Sequence, residues 1–367
     1  MNIGIIGTRG IPNRYGGFER LAEKLSVGLH QRGHVVTVYN SHKHPYQEKK
    51  YFDVEIVHCY DAEYKWGTAG QFVYDYNCIK DAAKRNFDVL LFLGYTSSSV
   101  WGRFFPKQAV IVSNMDGMEW KRSKYKRPTR KFLQYAERLA VKYSHHLIAD
   151  SPVIQSYLEN KYHKTAELIA YGADIGIEAD ENYLEAFGVE KNEYYLILAR
   201  MEPENNIELI LDGYVLSASK KKIIVVGNTN NNFGKRLTKK FSDQTGVCFA
   251  GSIFDYEVLH ALKNYCRLYF HGHSVGGTNP SLLEAMASGA MIAAHDNAFN
   301  WAVLEEDAFY FSSETEISEI IKMDIPSESI QKKIENNLIK VKQLYNWPMI
   351  IDQYEKYLVQ CFKASRN

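Results

Sequence analysis

Leu268-Tyr-Phe-His-Gly-His-Ser-Val-Gly-Gly-Thr-Asn-Pro-Ser-Leu-Leu-Glu-Ala-Met-Ala-Ser-Gly289 reads as a strand, a glycine-rich turn and a helix in succession. The strand is expected to end in Phe270. Asn279 is a good N-cap, and Pro280 suits the first helical position. Leu282, Leu283 and Met286 give the helix a buried face, and Gly289 ends it. A helix N-terminus at the mouth of a sheet, preceded by bare backbone N–H groups, is a device for holding a diphosphate. Gly277, Thr278 and Asn279 are therefore candidate phosphate contacts. Glu284, one turn in and amid apolar neighbours, is placed to reach a ribose.

The same alternation runs through the chain. Strands are expected near Ile3–Ile6, Val35–Tyr39, Val54–His58, Val89–Leu93, Ala109–Ser113 and His146–Ala149. A second series follows at Tyr195–Leu198, Ile223–Val226, Val247–Phe249, Leu268–Phe270, Met291–Ala293 and Phe309–Phe311. Continuous apolar strands separated by helices argue a parallel sheet covered on both faces. Two series argue an α/β chain of two doubly wound domains, residues 1–172 and 190–345. Leu21, Leu25 and Leu29 form the stripe of a first helix that Gly33 ends. The acidic stretch to about Glu193 reads as a linker. The aromatic, amphipathic tail, residues 347–367, is expected to pack as a terminal helix.

Composition excludes several classes. The chain of 367 residues is 46% hydrophobic and 24% charged, with net charge +1. That balance gives no whole-chain ground for a nucleic-acid partner. Five scattered cysteines without a Cys-x2-Cys pair argue against a disulfide framework or zinc site and fit a reducing cytosol. Asn2-Ile-Gly-Ile-Ile-Gly7 is expected to be a strand rather than a signal peptide. No apolar run approaches the ~20 residues of a membrane span.

Three further motifs follow strands, where ligands bind in open α/β sheets. The first is Gly7-Thr-Arg-Gly-Ile-Pro-Asn-Arg-Tyr-Gly-Gly-Phe-Glu19, with Gly16 and Gly17 at a helix start that suits phosphate. In the second, Val112-Ser-Asn-Met-Asp-Gly-Met-Glu-Trp-Lys-Arg122, Asp116 and Glu119 are placed for a sugar hydroxyl or for acid–base work. In the third, Leu198-Ala-Arg-Met-Glu-Pro-Glu-Asn-Asn206, Arg200 is able to grip a diphosphate with two parallel hydrogen bonds, unless Glu202 or Glu204 pairs with it. Asn205 and Asn206 add neutral donors. A basic run including Lys121, Arg122, Lys124, Lys126 and Arg127 reads as a solvated face or a contact to a membrane surface or pyrophosphate-linked lipid. Gly4, Gly7 and Gly10 with Tyr157 and Lys161 imitate a short-chain dehydrogenase. However, Gly4 lies inside the strand, and the second strand ends in Asn40 rather than an acidic residue.

Together the motifs at 7–19, 116–122, 199–206 and 276–286 resemble family 4 glycosyltransferases, closest to the bacterial rhamnosyltransferase-like branch. Tyr345-Asn-Trp347 extends the resemblance over nearly the whole chain. It implies a GT-B fold, two Rossmann-like domains facing across a cleft, with the terminal helix crossing back to the first domain. It implies a retaining mechanism without metal or other cofactor, and the chain contains no Asp-x-Asp. It implies transfer from a nucleotide-diphosphate sugar, such as a dTDP-deoxysugar, to a polyprenyl-pyrophosphate-linked glycan at the cytoplasmic membrane face. The expected roles are Glu284 on the ribose, Arg200 with the 277–279 amides on the diphosphate, Gly16 and Gly17 on phosphate, and Asp116 on the sugar or acceptor hydroxyl. Glu119 and the basic run would lie on the acceptor side.

The sequence departs from the family pattern at three positions. Gly276 replaces the first Glu of the Glu-x7-Glu motif, Asn205 replaces the usual Lys, and Asp116 stands where many relatives have His. Either Arg200 and the helix N-terminal amides do more to hold the diphosphate, or another base such as Arg9 or Arg14 supplies the missing positive charge. The rival readings are an NAD-dependent nucleotide-sugar epimerase or dehydrogenase, and an inactive nucleotide-binding scaffold.

Overall fold

The computed structural model describes every residue except Tyr15, Asp116, Ile177, Ile325 and Asn367. The chain divides into two compact units: Met1–Lys121, Tyr125–Tyr171 and Trp347–Asn367 in one, Arg122–Lys124 and Gly172–Asn346 in the other.

The first unit is built on strands β1 (Asn2–Ile6), β2 (Val35–Ser41), β3 (Lys50–Tyr51), β4 (Val54–Cys59), β5 (Val89–Leu93), β6 (Val110–Met115), β7 (His146–Ala149) and β8 (Glu167–Leu168). They pair in the order β3-β4-β2-β1-β5-β6-β7-β8, all parallel except β3 against β4. Helices α1 (Gly17–Gln31), α2 (Glu63–Trp66), α3 (Gly70–Ala82), α4 (Arg127–Tyr143) and α5 (Pro152–Tyr162) join them. Apolar runs such as Val89–Leu93 are buried along their length, as a sheet covered on both faces requires.

The second unit pairs β9 (Tyr194–Leu198), β10 (Lys222–Val226), β11 (Val247–Gly251), β12 (Leu268–His271), β13 (Ile292–His295) and β14 (Phe309–Phe311). Their order is β11-β10-β9-β12-β13-β14. Its helices are α6 (Ile207–Ser217), α7 (Asn232–Lys240), α8 (Tyr256–Tyr265), α9 (Pro280–Ala287), α10 (Ala298–Leu304), α11 (Glu314–Lys322) and α12 (Ser327–Leu344). One core gathers Ile197, Ile210, Leu211, Ile223, Phe270 and Ile317. Each such side chain contributes roughly 1.5–3 kcal/mol of burial. Residues 174–193 carry a 3-10 turn, Glu181–Phe187, with Leu184 buried and Tyr183 bonded to Glu257.

The last helix, α13 (Trp347–Ala364), belongs to the first unit. It buries Ile350, Ile351, Tyr354 and Leu358. Gly28 on α1 makes room for it: a Cβ there would meet Ile351 at 2.6 Å. Arg32 and His34 bond Asp352 and Glu355 at the rim.

Both units are doubly wound α/β sheets, and every strand read from the sequence is present within a residue or two. The two-residue edge strands β3 and β8 are additional, too short to show a period. In each sheet the strand order reverses once, between β1 and β5 and between β9 and β12. These reversals are the topological switch points where open α/β sheets bind ligands.

Candidate active site

At the second switch point the loop after β9 faces the loop after β12, since Leu268–Phe270 pair in register with Tyr195–Ile197. Arg200 leaves β9 with its side chain exposed and without an ion-pair partner among the described residues. Glu202 and Glu204 do not neutralise it. Glu202 pairs with Lys124 at 3.3 Å. Buried Glu204 lies 3.7 Å from Arg122 and accepts from Ser123 at 3.3 Å. Arg122 and Lys124, expected on an acceptor or membrane side, are thus ion-paired within the second unit.

The two asparagines do not present their amides as free donors. Asn205 is buried, and its Nδ2 donates to the Arg200 carbonyl at 2.7 Å. Asn206 donates to the Gly272 carbonyl at 2.7 Å. Both residues spend this capacity on holding the loop. The fit is tight, because a Cβ on Gly272 would lie 2.1 Å from the Asn205 carbonyl oxygen.

Beyond β12, Asn279 caps α9, accepting from the Ser281 N–H at 3.0 Å and the Ser281 hydroxyl at 2.8 Å. Thr278 is buried beside it. Gly276 has φ +154° and open space around its Cβ direction, so no side chain fills the place of the family's first Glu. Glu284 sits one turn into α9, and its Oε2 accepts from Lys263 of α8 at 2.8 Å. Lys263 is fully buried, whereas the Glu284 side chain is 28% exposed.

The stacked rings of His271 and His273, 4.5 Å apart, occupy the same mouth. Burial, with His273 and His295 nearby, holds His271 well below its ordinary pKa. Burial, with Arg200 and Arg122 nearby, lowers His273 to about 3. Both are neutral at physiological pH, and neither His271 ring nitrogen has a partner among the described residues. Asn297 and Asn300 fix the loop by donating to the His273 carbonyl at 3.0 and 3.1 Å. Sequence reading missed Lys263, His271, His273, Asn297 and Asn300. The His-x-His spacing was visible, but the lysine and asparagines come from elements distant in sequence.

At the first switch point, Gly7 has φ +108°, and a Cβ there would meet the Leu93 carbonyl oxygen at 2.3 Å. Asn40, at the end of β2, clamps the loop: its Oδ1 accepts from Ile11 N–H at 3.0 Å and its Nδ2 donates to Ile11 O at 2.8 Å. Gly16 is the N-cap of α1, in extended conformation. Buried Glu19 stands in the first turn and accepts from Arg9 N–H at 3.1 Å, so the helix end already has one carboxylate. The Arg9 guanidinium forms a two-bond fork with Glu63 at 2.7 and 2.8 Å. The charge of Arg9, one of the candidates to stand in for the missing lysine, is thus shared with a carboxylate. Arg14 is exposed.

Asp116 lies outside the described residues. Around it, Glu119 is half-buried and Lys121 lies over the Trp120 ring. Trp120 Nε1 donates to buried Glu137 at 3.1 Å. Glu137 also accepts from Tyr157 at 2.7 Å, Lys161 at 2.9 Å and Tyr162 at 2.6 Å. The Tyr157–Lys161 pair that imitates a dehydrogenase is therefore part of this knot, which anchors the Trp120 segment to α4 and α5. Lys126 and Arg127 are exposed at the start of α4. Among the described residues no group of three or more His, Cys, Asp or Glu is placed to hold a metal ion.

Two family models match the sequence. Residues 1–174 match a domain of unknown function, DUF1972, and residues 180–337 match glycosyl transferases group 1. Similar solved structures include sucrose-phosphate synthase from Thermosynechococcus elongatus, with TM-score 0.82, 16% identity and 99% of each chain covered. The Anabaena protein HepE in complex with UDP and glucose has TM-score 0.75 and 16% identity, over 98% of this chain and 99% of its own. For α,α-trehalose 6-phosphate synthase from Burkholderia multivorans the TM-score is 0.71 at 13% identity, over 100% and 97%. At such identities the likeness is one of fold. No sequence match is found among proteins of curated function. Residues 180–337, most of the second unit, thus match glycosyl transferases group 1, on a chain with the two-domain GT-B fold.

Proposed function

We propose that the chain is a retaining glycosyltransferase that moves a sugar from a nucleotide-diphosphate donor to a glycan acceptor without a metal ion. The observation that carries this reading is Arg200. In a region matching group 1, a guanidinium without an ion-pair partner among the described residues stands at the switch point, just beyond the strand next to the one that feeds the capped N-terminus of α9. Diphosphate is the leaving group of such a transfer, and stabilising its developing charge is usually the largest catalytic term. Arg200 and the 277–279 amides act there. Glu284 takes the ribose hydroxyls. Asp116 positions the sugar or acceptor hydroxyl. Gly16 and Gly17 offer N–H groups to a phosphate at the α1 end. Rhamnose from a dTDP donor is our first choice of sugar, and HepE, solved with UDP-glucose, makes UDP the next base to test. The acceptor is a polyprenyl-pyrophosphate-linked glycan of a bacterial surface polysaccharide, met at the cytoplasmic membrane face.

The test is release of nucleoside diphosphate from a panel of dTDP-, UDP- and GDP-sugars in EDTA, with a bacterial lipid-linked glycan extract as acceptor. Turnover of one donor, with label entering the lipid fraction in its original anomeric configuration, is expected. Turnover only after Mg2+ is added, or inversion at the anomeric carbon, would overturn the mechanism.

A further inference from the structure

Charge is unevenly distributed along this chain. The whole sequence holds 44 Lys and Arg against 43 Asp and Glu, yet residues 99–143 hold eleven against three. The structure separates that basic segment into two parts. Arg122 and Lys124 are ion-paired with Glu204 and Glu202. Of the others, Arg127, Lys131, Arg138 and Lys142 lie on the outer face of α4, and Arg103 lies on the neighbouring 3-10 turn Ser99–Phe104. Along α4, Arg127, Lys131, Tyr135, Arg138 and Lys142 are exposed at i, i+4, i+8, i+11 and i+15, one stripe of the helix. Arg103 and Lys107 are also exposed.

Among the described residues of the segment, neither acid balances this face. Glu137 is turned inward and buried under its four donors, and Glu119 is half-buried. Large rings emerge among the cations: Phe104 is 53% exposed, Tyr135 49% and Phe132 37%. Two of them, Phe132 and Phe104, are linked through Phe72 and Trp101. Phe132 packs on Phe72 at 5.6 Å, the Phe72 carbonyl accepts from Trp101 Nε1 at 2.8 Å, and Trp101 packs on Phe104 at 6.1 Å.

We infer that the outer face of α4, with the Ser99–Phe104 turn, is a docking surface for an anionic lipid bilayer. Cations interleaved with exposed rings suit the boundary between headgroups and acyl chains. There the rings insert shallowly while the cations meet lipid phosphates. A folded acidic protein would neutralise the cations without surrounding the protruding rings with apolar matter, as acyl chains do. The inference deepens the proposed function, giving a lipid-linked acceptor the membrane at which it is met.

The test is co-sedimentation of the full chain with phosphatidylcholine vesicles, with and without phosphatidylglycerol. Binding is expected only to the anionic vesicles and should weaken as salt rises. The triple variant Lys131→Glu, Arg138→Glu, Lys142→Glu should lose it at least about tenfold, from the gain of a surface cation near an anionic leaflet. Phe104→Ala with Tyr135→Ala should weaken it by a salt-independent factor. If the charge reversals unfold the chain, Lys131→Gln, Arg138→Gln, Lys142→Gln serves in their place, with a melting curve as the control. Wild type remaining in the supernatant, variants sedimenting like wild type, or capture of single-stranded RNA or polyglutamate in preference to vesicles would overturn the inference. A nucleoside-diphosphate melting shift on the same samples reports the transferase reading separately.

Discussion

Lys263 and Glu284 form an ion pair at 2.8 Å in which the lysine is fully buried and the carboxylate is partly open to solvent. A buried ammonium needs a compensating charge, and Glu284 supplies it. The pair fixes one carboxylate oxygen against α8, and the other has no partner among the described residues. We expect Lys263→Met to free the carboxylate and lower affinity for the cognate nucleoside diphosphate about tenfold or more, the scale of one charged hydrogen bond. Affinity for inorganic pyrophosphate should not change. Calorimetric titration with both ligands separates the effects, and an equal loss for both would point to general damage. Glu284→Ala should lower the melting temperature more than Lys263→Met does, because it leaves the buried charge stranded.

The Arg200 side chain has no ion-pair or hydrogen-bond partner among the described residues, so Arg200→Ala should leave stability within about 0.5 kcal/mol of wild type. Its cost should appear in transfer, at about 2–4 kcal/mol of transition-state stabilisation, or roughly 30- to 1000-fold in rate. Arg200→Lys should recover only part of that, lacking the planar fork. Single-turnover kinetics beside a melting curve are the check. A near-wild-type rate would remove Arg200 from the diphosphate role.

Gly272→Ala would bring a Cβ to 2.1 Å from the Asn205 carbonyl oxygen, a backbone atom that cannot swing away. The loop carrying Arg200 must then shift. The expected cost is roughly 1–3 kcal/mol of stability together with lost turnover. Unchanged melting and rate would show that the two loops are not held in this contact.

Asp75 is buried and accepts from Ser97 at 2.6 Å, and burial pushes its carboxyl up to about 7. Between about pH 4 and 7 the folded chain keeps a proton that the unfolded chain releases. Folding is therefore penalised increasingly as pH rises through that window, with the full penalty present above it. Asp75→Asn should melt higher than wild type at pH 8 and level with it near pH 4. A difference independent of pH would contradict this.

Local chemistry was legible in the sequence. Asn279-Pro280 announced a helix start because capping needs only neighbouring residues. The strand runs and the two winding series followed from apolar periodicity. Tertiary partnerships were not legible. Nothing near Arg9 names Glu63, 54 residues away, as its partner, and Lys263 reads as an ordinary surface lysine until α8 packs against α9. Asn205 looked like a neutral donor because its sequence position faces the site, whereas its amide closes the loop on Arg200. Asn40 illustrates the reverse case. Its lack of charge argued against a dinucleotide, and the structure gives it a positive task in holding Ile11.

The central claim is a nucleoside-diphosphate site centred on Arg200 and the α9 N-terminus. It is tested most directly by the melting temperature of wild type and Arg200→Ala in EDTA with UDP, dTDP, GDP or NAD. A ligand at 100 times its dissociation constant adds about 2.7 kcal/mol to stability. The account predicts such a shift with one nucleoside diphosphate in wild type and its loss in Arg200→Ala. A shift with NAD alone, or a nucleoside-diphosphate shift that survives the substitution, would contradict it.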